Sequence, residues 1–295
     1  MRMQGRRTDL ALESKLLAEK SARALTEEDG VRATEERLFG YPLTEVEILN
    51  ETGAAALHKP VGRYLTLTLQ NYWLREEGGF SRAVEAASET LRRLLPENAQ
   101  SVLVAGLGNA AMTPDALGSL SLRHLFVTRH LRDSVPFRRF PSVAALAAEV
   151  VGNSGMEAAE QVEALTKSLR PDLVIVIDAL AAQGLPRLLN TVQFSDVGLV
   201  PGSGVGNHRR ALRKEDLGVR VLSIGVPTVV EGRTLALDLL ENAGLAGEAG
   251  NVGEGLFVTP KDADAKIAEL ARLIGYALNR ALHGLSAEDS AALLG

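Results

Sequence analysis

No cysteine occurs among the 295 residues, which removes disulfides, zinc ribbons and thiol nucleophiles together. No uncharged apolar stretch approaches the roughly 18 residues that a membrane span needs. The polar start, Met1 to Arg7, is followed by no apolar run, so no signal peptide is expected. There is no His-Glu-x-x-His. The five histidines (His58, His124, His130, His208 and His283) are scattered, and a zinc site would have to be assembled from distant pieces. Basic residues are not in excess either, since 32 Lys and Arg against 37 Asp and Glu leave a net charge of −5. A nucleic-acid grip needs clustered cations to replace phosphate counterions, so no direct nucleic-acid partner is expected. Internal repeats and low-complexity segments are absent. What is present is average for a globular chain, with 46% apolar and 23% charged residues. That is enough apolar surface to offset the ordering entropy. The expectation is a soluble, intracellular protein.

The hydrophobic pattern divides the chain. Residues 1–7 read as a loose basic leader, and a helix is predicted over Leu10 to Leu25. In the block from Val46 to Trp73, Tyr64 to Leu69 alternates with period two and reads as a strand. Residues 80–95 form an amphipathic helix ended by Pro96. From Ser101 the texture changes. Short aliphatic strands are predicted at Val102 to Ala105, Leu125 to Val127, Leu173 to Ile177, Val192 to Phe194 and Val219 to Ile224. Helical stretches lie at Glu157 to Leu169 and around Ile267 to Leu282. Strands alternating with helices, several of them apolar throughout, predict an α/β fold. Its sheet should be mostly parallel, with helices on both faces and a small antiparallel insertion around residues 46–69.

In such sheets the functional crevice lies at the carboxyl ends of the strands. Asp178 ends the run Leu173 to Ile177, and an acid there is costly unless paired or solvated. Asp115 sits on the loop after Val102 to Ala105, just past Gly106-Leu107-Gly108-Asn109. If the two strands are neighbours, the acids face one crevice. Two carboxylates that close cannot both ionise cheaply, so one keeps a proton while the other acts as base toward a water. Thr113-Pro114-Asp115 also reads as an ordinary helix start, with Thr as cap, Pro at the first position and Asp at the positive dipole end.

Two glycine clusters invite other chemistry. Gly106-x-Gly108-x-x-Ala111 after a strand has the dinucleotide spacing. The acid that should follow about 20 residues on is missing, because the chain there reads Val127-Thr128-Arg129-His130. No cofactor is therefore expected. Gly202-Ser203-Gly204-Val205-Gly206-Asn207 lacks the Lys-Ser/Thr of a phosphate loop, but it can offer backbone N–H groups to a carbonyl oxygen. A structural turn explains it equally well.

Taken in order, longer stretches resemble one family. They include Arg7-Thr8-Asp9-Leu10-Ala11-Leu12-Glu13, Gly106-Leu107-Gly108-Asn109 with Thr113 to Gly118, and Val127 to Leu131. Pro171 to Val174 through Ile177 to Ala182, Pro201 to Asn207, Ile224 to Val230 and Val258 to Lys261 continue the match. The chain is similar to the germination proteases of bacterial spores, atypical aspartic endopeptidases with a fold like that of hydrogenase-maturation proteases. The resemblance implies Asp115 and Asp178 as the catalytic acids, with no metal and no cofactor. It implies a zymogen whose residues 1–9 form a leader and whose residues 10–295 form the protease domain. Thr8-Asp9-Leu10-Ala11-Leu12-Glu13 imitates the substrate context, so self-cleavage is expected between Asp9 and Leu10. The resemblance further implies a homotetramer in the cytoplasm of the spore core that degrades small acid-soluble spore proteins, cutting after an acidic residue. For substrate contacts, Gly202, Ser203 and Gly204 are candidates as backbone donors. Arg129, Arg187 and Arg209 are candidate partners for the acidic side chain. Two rival readings remain open: the same acids as ligands of a peptidase metal, and a non-catalytic module that binds spore proteins.

Overall fold

The computed structural model describes residues 8–21, 25–69, 72–73, 75–202, 209–244, 253 and 255–294. In chain order the helices are α1 (Ala11–Ser21), α2 (Glu51–Leu57), α3 (Gly79–Arg92), α4 (Leu117–Leu122) and α5 (Val151–Ser154). They continue with α6 (Ala158–Leu169), α7 (Lys214–Leu217), α8 (Gly232–Asn242), α9 (Ala263–His283) and α10 (Ala287–Leu294). The strands are β1 (Val31–Leu38), β2 (Tyr41–Ile48), β3 (Gly62–Thr68), β4 (Ser101–Leu107) and β5 (Ser142–Ala148). After them come β6 (Leu173–Ala182), β7 (Thr191–Ser195), β8 (Arg220–Glu231) and the two-residue β9 (Phe257–Val258).

All nine strands join one sheet in the order β1-β2-β3-β7-β8-β6-β4-β5, with β9 on β8. The segment β8-β6-β4-β5 is parallel. The other half, β1-β2-β3-β7, is antiparallel and meets β8 antiparallel as well. The α/β class therefore holds, while the antiparallel part is larger than the insertion around 46–69. It begins at β1, whose alternate residues Val31-Arg-Ala-Thr-Glu-Glu-Arg-Leu38 are too polar to signal a buried strand.

Period-two alternation sorts side chains onto two faces. Val102 and Val104 of β4 with Leu173, Ile175 and Ile177 of β6 join the larger core, under α3, α4 and α9. Leu103, Ala105, Leu107, Val174 and Val176 point the other way and pack with α6. In α3, the buried positions Ala83, Ala87, Thr90 and Leu91 fall at helical spacing on its inner face. Across the antiparallel half, Ala11 of α1 and Leu57 of α2 close on Val46, Ile48 and Tyr64. Helices thus cover both faces.

Two strand assignments change. Leu125 to Val127 is not a strand, because the Phe126 N–H is taken by the Asn279 side chain at 2.7 Å instead of a ladder partner. The strand beside β4 is β5, Ser142-Val-Ala-Ala-Leu-Ala-Ala148, whose alanines carry little β-propensity. The strand that carries Asp178 also runs on to Ala182, so this acid lies within β6 rather than at its end.

Candidate active site

The parallel strands place β5 on one side of β4 and β6 on the other, so the direction in which successive strands are added reverses at the β4/β6 boundary. A crevice opens at such a switch point, beyond the carboxyl ends of the strands. Asp115 follows β4 and Asp178 lies on β6, one on each side of it. Both line a cavity of about 300 Å³, together with Asp9, Pro114, Gly202 and Arg209.

Each acid is held by backbone. Gly106 and Gly118 allow α4 to press onto β4, since a Cβ at Gly118 would lie 2.4 Å from Leu107 N and 2.7 Å from Ile177 O. Asp115 ends a 3-10 turn, Thr113–Asp115, before α4. The Thr228 hydroxyl pins that turn from β8 by donating to Pro114 O at 2.7 Å. Met112, not Thr113, holds the cap position, and no side chain caps the turn. The Asp115 carboxylate instead accepts the Asn109 N–H at 2.7 Å. Gly108 lies beneath it with φ +107°, in the region that favours glycine. On β6, Asp178 is 6% exposed and accepts the Ala179 N–H at 2.9 Å.

Burial pushes the Asp178 carboxyl well above the usual carboxylate range. The like charges of Asp115 and Asp9 push in the same direction, while the Ala179 N–H and Arg209 oppose them. Burial also raises Asp115, against the pull of the Asn109 N–H and Arg209. The pair therefore favours a state in which one proton is kept. Among the described residues, no group of three or more histidines and carboxylates could hold a metal ion.

The segment from Thr8 to Glu13 is seated beside these acids. Strand β4 stops pairing with β6 at Ile177, whereas β8 continues to Ala182. Asp9 docks on the projecting end of β6. Its N–H donates to Ala181 O at 3.0 Å, and its Oδ2 accepts the Ala181 N–H at 2.9 Å. The Gln193 carboxamide on β7 spans the next residue, with Nε2 donating to Asp9 O at 3.3 Å and Oε1 accepting the Ala11 N–H at 2.8 Å. Leu10 is fully buried. Glu13 is buried too, accepting the N–H groups of Gln183 at 2.7 Å and Gly184 at 3.3 Å, and the Thr8 hydroxyl. Burial raises the Glu13 carboxyl despite these donors. From the loop after α2, Lys59 Nζ donates to Thr8 O at 3.2 Å.

The other candidates separate. Gly202 lines the crevice, while Ser203 and Gly204 lie outside the described residues, as do residues 1–7 of the leader. Arg209 reaches the crevice and acts on both acids. Arg187 acts on Glu13. Arg129 lines a different hollow, with Val127, His130 and Val143. Lys59 and Gln193 have no motif around them in the sequence. Only the tertiary fold brings them to the segment from Thr8 to Glu13.

An α/β sheet with two desolvated acids straddling its switch point is an arrangement capable of acid–base chemistry on a bound water. A family model described as germination protease (Peptidase_A25) matches residues 9–243. The chain is 37% identical to the germination protease of Clostridium perfringens (strain SM101 / Type A), over 94% of each chain. It is also 37% identical to that of Caldanaerobacter subterraneus subsp. tengcongensis, over 98% of each. With the Bacillus pumilus germination protease it shares 33% identity over 96% of this chain and 95% of the relative. Among solved structures, it is similar to a [NiFe] hydrogenase maturation protease, HycI, from Thermococcus kodakarensis KOD1. That match is 23% identical over 64% of this chain and 99% of the other, with a TM-score of 0.37, too distant to carry an inference. The chain belongs to the germination protease family, a family of peptidases.

Proposed function

We propose that this protein is an endopeptidase that starts the degradation of small acid-soluble spore proteins during germination, and that it is made as a self-processing zymogen. Asp178, the more deeply desolvated acid, keeps the shared proton and hydrogen-bonds the scissile carbonyl oxygen. Asp115, which accepts the Asn109 N–H, takes a proton from a water as the water oxygen bonds to the carbonyl carbon. The tetrahedral adduct then collapses, the C–N bond breaks, and the leaving nitrogen takes up a proton from the pair. General acid–base assistance of this kind contributes about 10²–10⁴-fold.

The observation that carries this reading is Asp9, which lines the same cavity as Asp115 and Asp178 within the segment that imitates a substrate. The bond to be cut in self-processing is Asp9–Leu10, and in substrates the bond after an acidic residue. Assembly as a homotetramer in the spore core follows from the family resemblance. The exposed apolar run Leu256, Phe257 and Val258 is a surface that assembly would cover, and light scattering of the purified chain tests it.

The test is incubation with a small acid-soluble spore protein, reading new termini by mass and N-terminal sequencing, with and without chelator. Cuts after glutamate that persist in chelator and vanish in Asp115→Asn and Asp178→Asn support the carboxylate pair. Activity lost to chelator and restored by a metal ion replaces it with a metal mechanism. Stoichiometric binding without new termini replaces it with a binding protein.

A further inference from the structure

A second cavity, of about 490 Å³, adjoins the crevice, and Asp9 lines both. Its walls include Lys59, Tyr64, Gln193, Ser195 and Arg213. Among the described residues, the hydrogen-bond partner of the Lys59 ammonium is the Thr8 carbonyl. The carboxylates acting on it are Asp9 and Glu13. Both the hydrogen bond and the charges therefore come from the segment 8–13. A cation drawn out of water is costly without a partner. When residues up to Asp9 depart, Lys59 loses the Thr8 carbonyl and the Asp9 carboxylate together, and its ammonium is left beside an emptied cavity. An incoming peptide with an acidic residue at the same place restores the carbonyl and the negative charge.

We propose that Lys59 is the specificity-determining residue that reads the acidic side chain preceding the cut, in a groove where the Gln193 carboxamide fixes the peptide's register. This rests on the endopeptidase reading above. Gln193 bonds the backbone on both sides of Leu10, through Asp9 O and the Ala11 N–H, and such bonds are indifferent to side-chain identity. A carboxamide that grips backbone and an ammonium that shares the cavity of the acidic side chain divide binding from selection. Lys59 donates to the Thr8 carbonyl and lines the 490 Å³ cavity with Asp9, which neither Arg187 nor Arg209 does. Arg209 acts on Asp115 and Asp178, while Arg187 acts on Glu13 and donates to the Thr68 hydroxyl at 3.4 Å.

The experiment compares kcat/KM of the full chain on synthetic peptides copying residues 4–16, with Asp, Glu, Asn or Gln in place of Asp9. A charge-assisted contact of this kind is worth about 10- to 100-fold in the acid-to-amide ratio. The wild type should show that preference, and Lys59→Met should bring the ratio to within about twofold of one. The ratio is read within one variant, so a reduced folded fraction does not alter it, and Lys59→Gln supplies the same reading if Lys59→Met does not fold. Gln193→Leu should slow all four peptides alike and leave the ratio unchanged. An unchanged ratio in the Lys59 variants overturns the proposal. So does a ratio lost in Arg213→Met but kept in Lys59→Met, which transfers the role to Arg213. If the wild type cuts none of the peptides, the endopeptidase reading falls first and this one with it. Cutting of acid and amide peptides at equal rates by the wild type leaves that reading standing and removes only the role of Lys59.

Discussion

Replacing Asp178 with asparagine should make the protein more stable and inactive together. The carboxyl is 6% exposed, accepts one backbone N–H and faces the charges of Asp115 and Asp9. Its pKa is therefore higher in the native chain than in the unfolded one. The native state then binds more protons, so stability falls as pH rises from the unfolded value of about 3.9 through the raised native one. Asparagine keeps an oxygen for the Ala179 N–H but has no proton to lose, so that fall disappears from its pH profile. A single stabilising substitution commonly returns about 0.5–2 kcal/mol. At roughly 2–4 °C per kcal/mol for a chain of this size class, Tm near pH 7.5 should rise by about 1–8 °C. At a pH below both values the two proteins should melt within error of each other. Thermal melts of wild type and Asp178→Asn from pH 3 to 8 measure this, with peptide cleavage read at the neutral end. A variant less stable than wild type at pH 7.5 would refute the reasoning, since it would mean that the fold favours the ionised carboxylate.

Arg209→Ala should move the acid limb of the pH–rate profile upward, because Arg209 favours the charged forms of both Asp115 and Asp178; cleavage rates from pH 4 to 8 test this. At Gly108, φ is +107° and an added Cβ would meet Asp115 O at 2.1 Å. Gly108→Ala should therefore cost about 1–3 kcal/mol in denaturant melts and displace Asp115. Glu13→Ala leaves the N–H groups of Gln183 and Gly184 without their carboxylate. A loss of about 1–3 kcal/mol is expected, and a slower appearance of the Leu10 terminus on gels should accompany it.

The parallel half of the fold was legible because its strands are aliphatic on both faces, as Leu173 to Ile177 and Val102 to Ala105 are. The two edge strands were less so, since antiparallel β1 carries mostly exposed polar residues and parallel β5 mostly alanine, and neither pattern distinguishes strand from loop. Asp178 stood out as an acid at the end of an apolar run. Asp115 was ambiguous in the sequence because its Thr-Pro-Asp setting suits a helix start, and the carboxylate's bond to the Asn109 N–H is a tertiary detail of a glycine turn. Lys59 and Gln193 carried no signal. Lys59 lies 50 residues from Asp9 along the chain and Gln193 lies 184 away, so only the pairing of β3 with β7 and the docking of α1 bring them to the leader.

The most direct measurement is a time course of the purified full-length chain beside Asp178→Asn, read by intact mass and N-terminal sequencing. The account predicts a new terminus at Leu10 in the wild type and none in the variant. A Leu10 terminus that appears equally in Asp178→Asn, or a wild-type cut at a different bond, would contradict it.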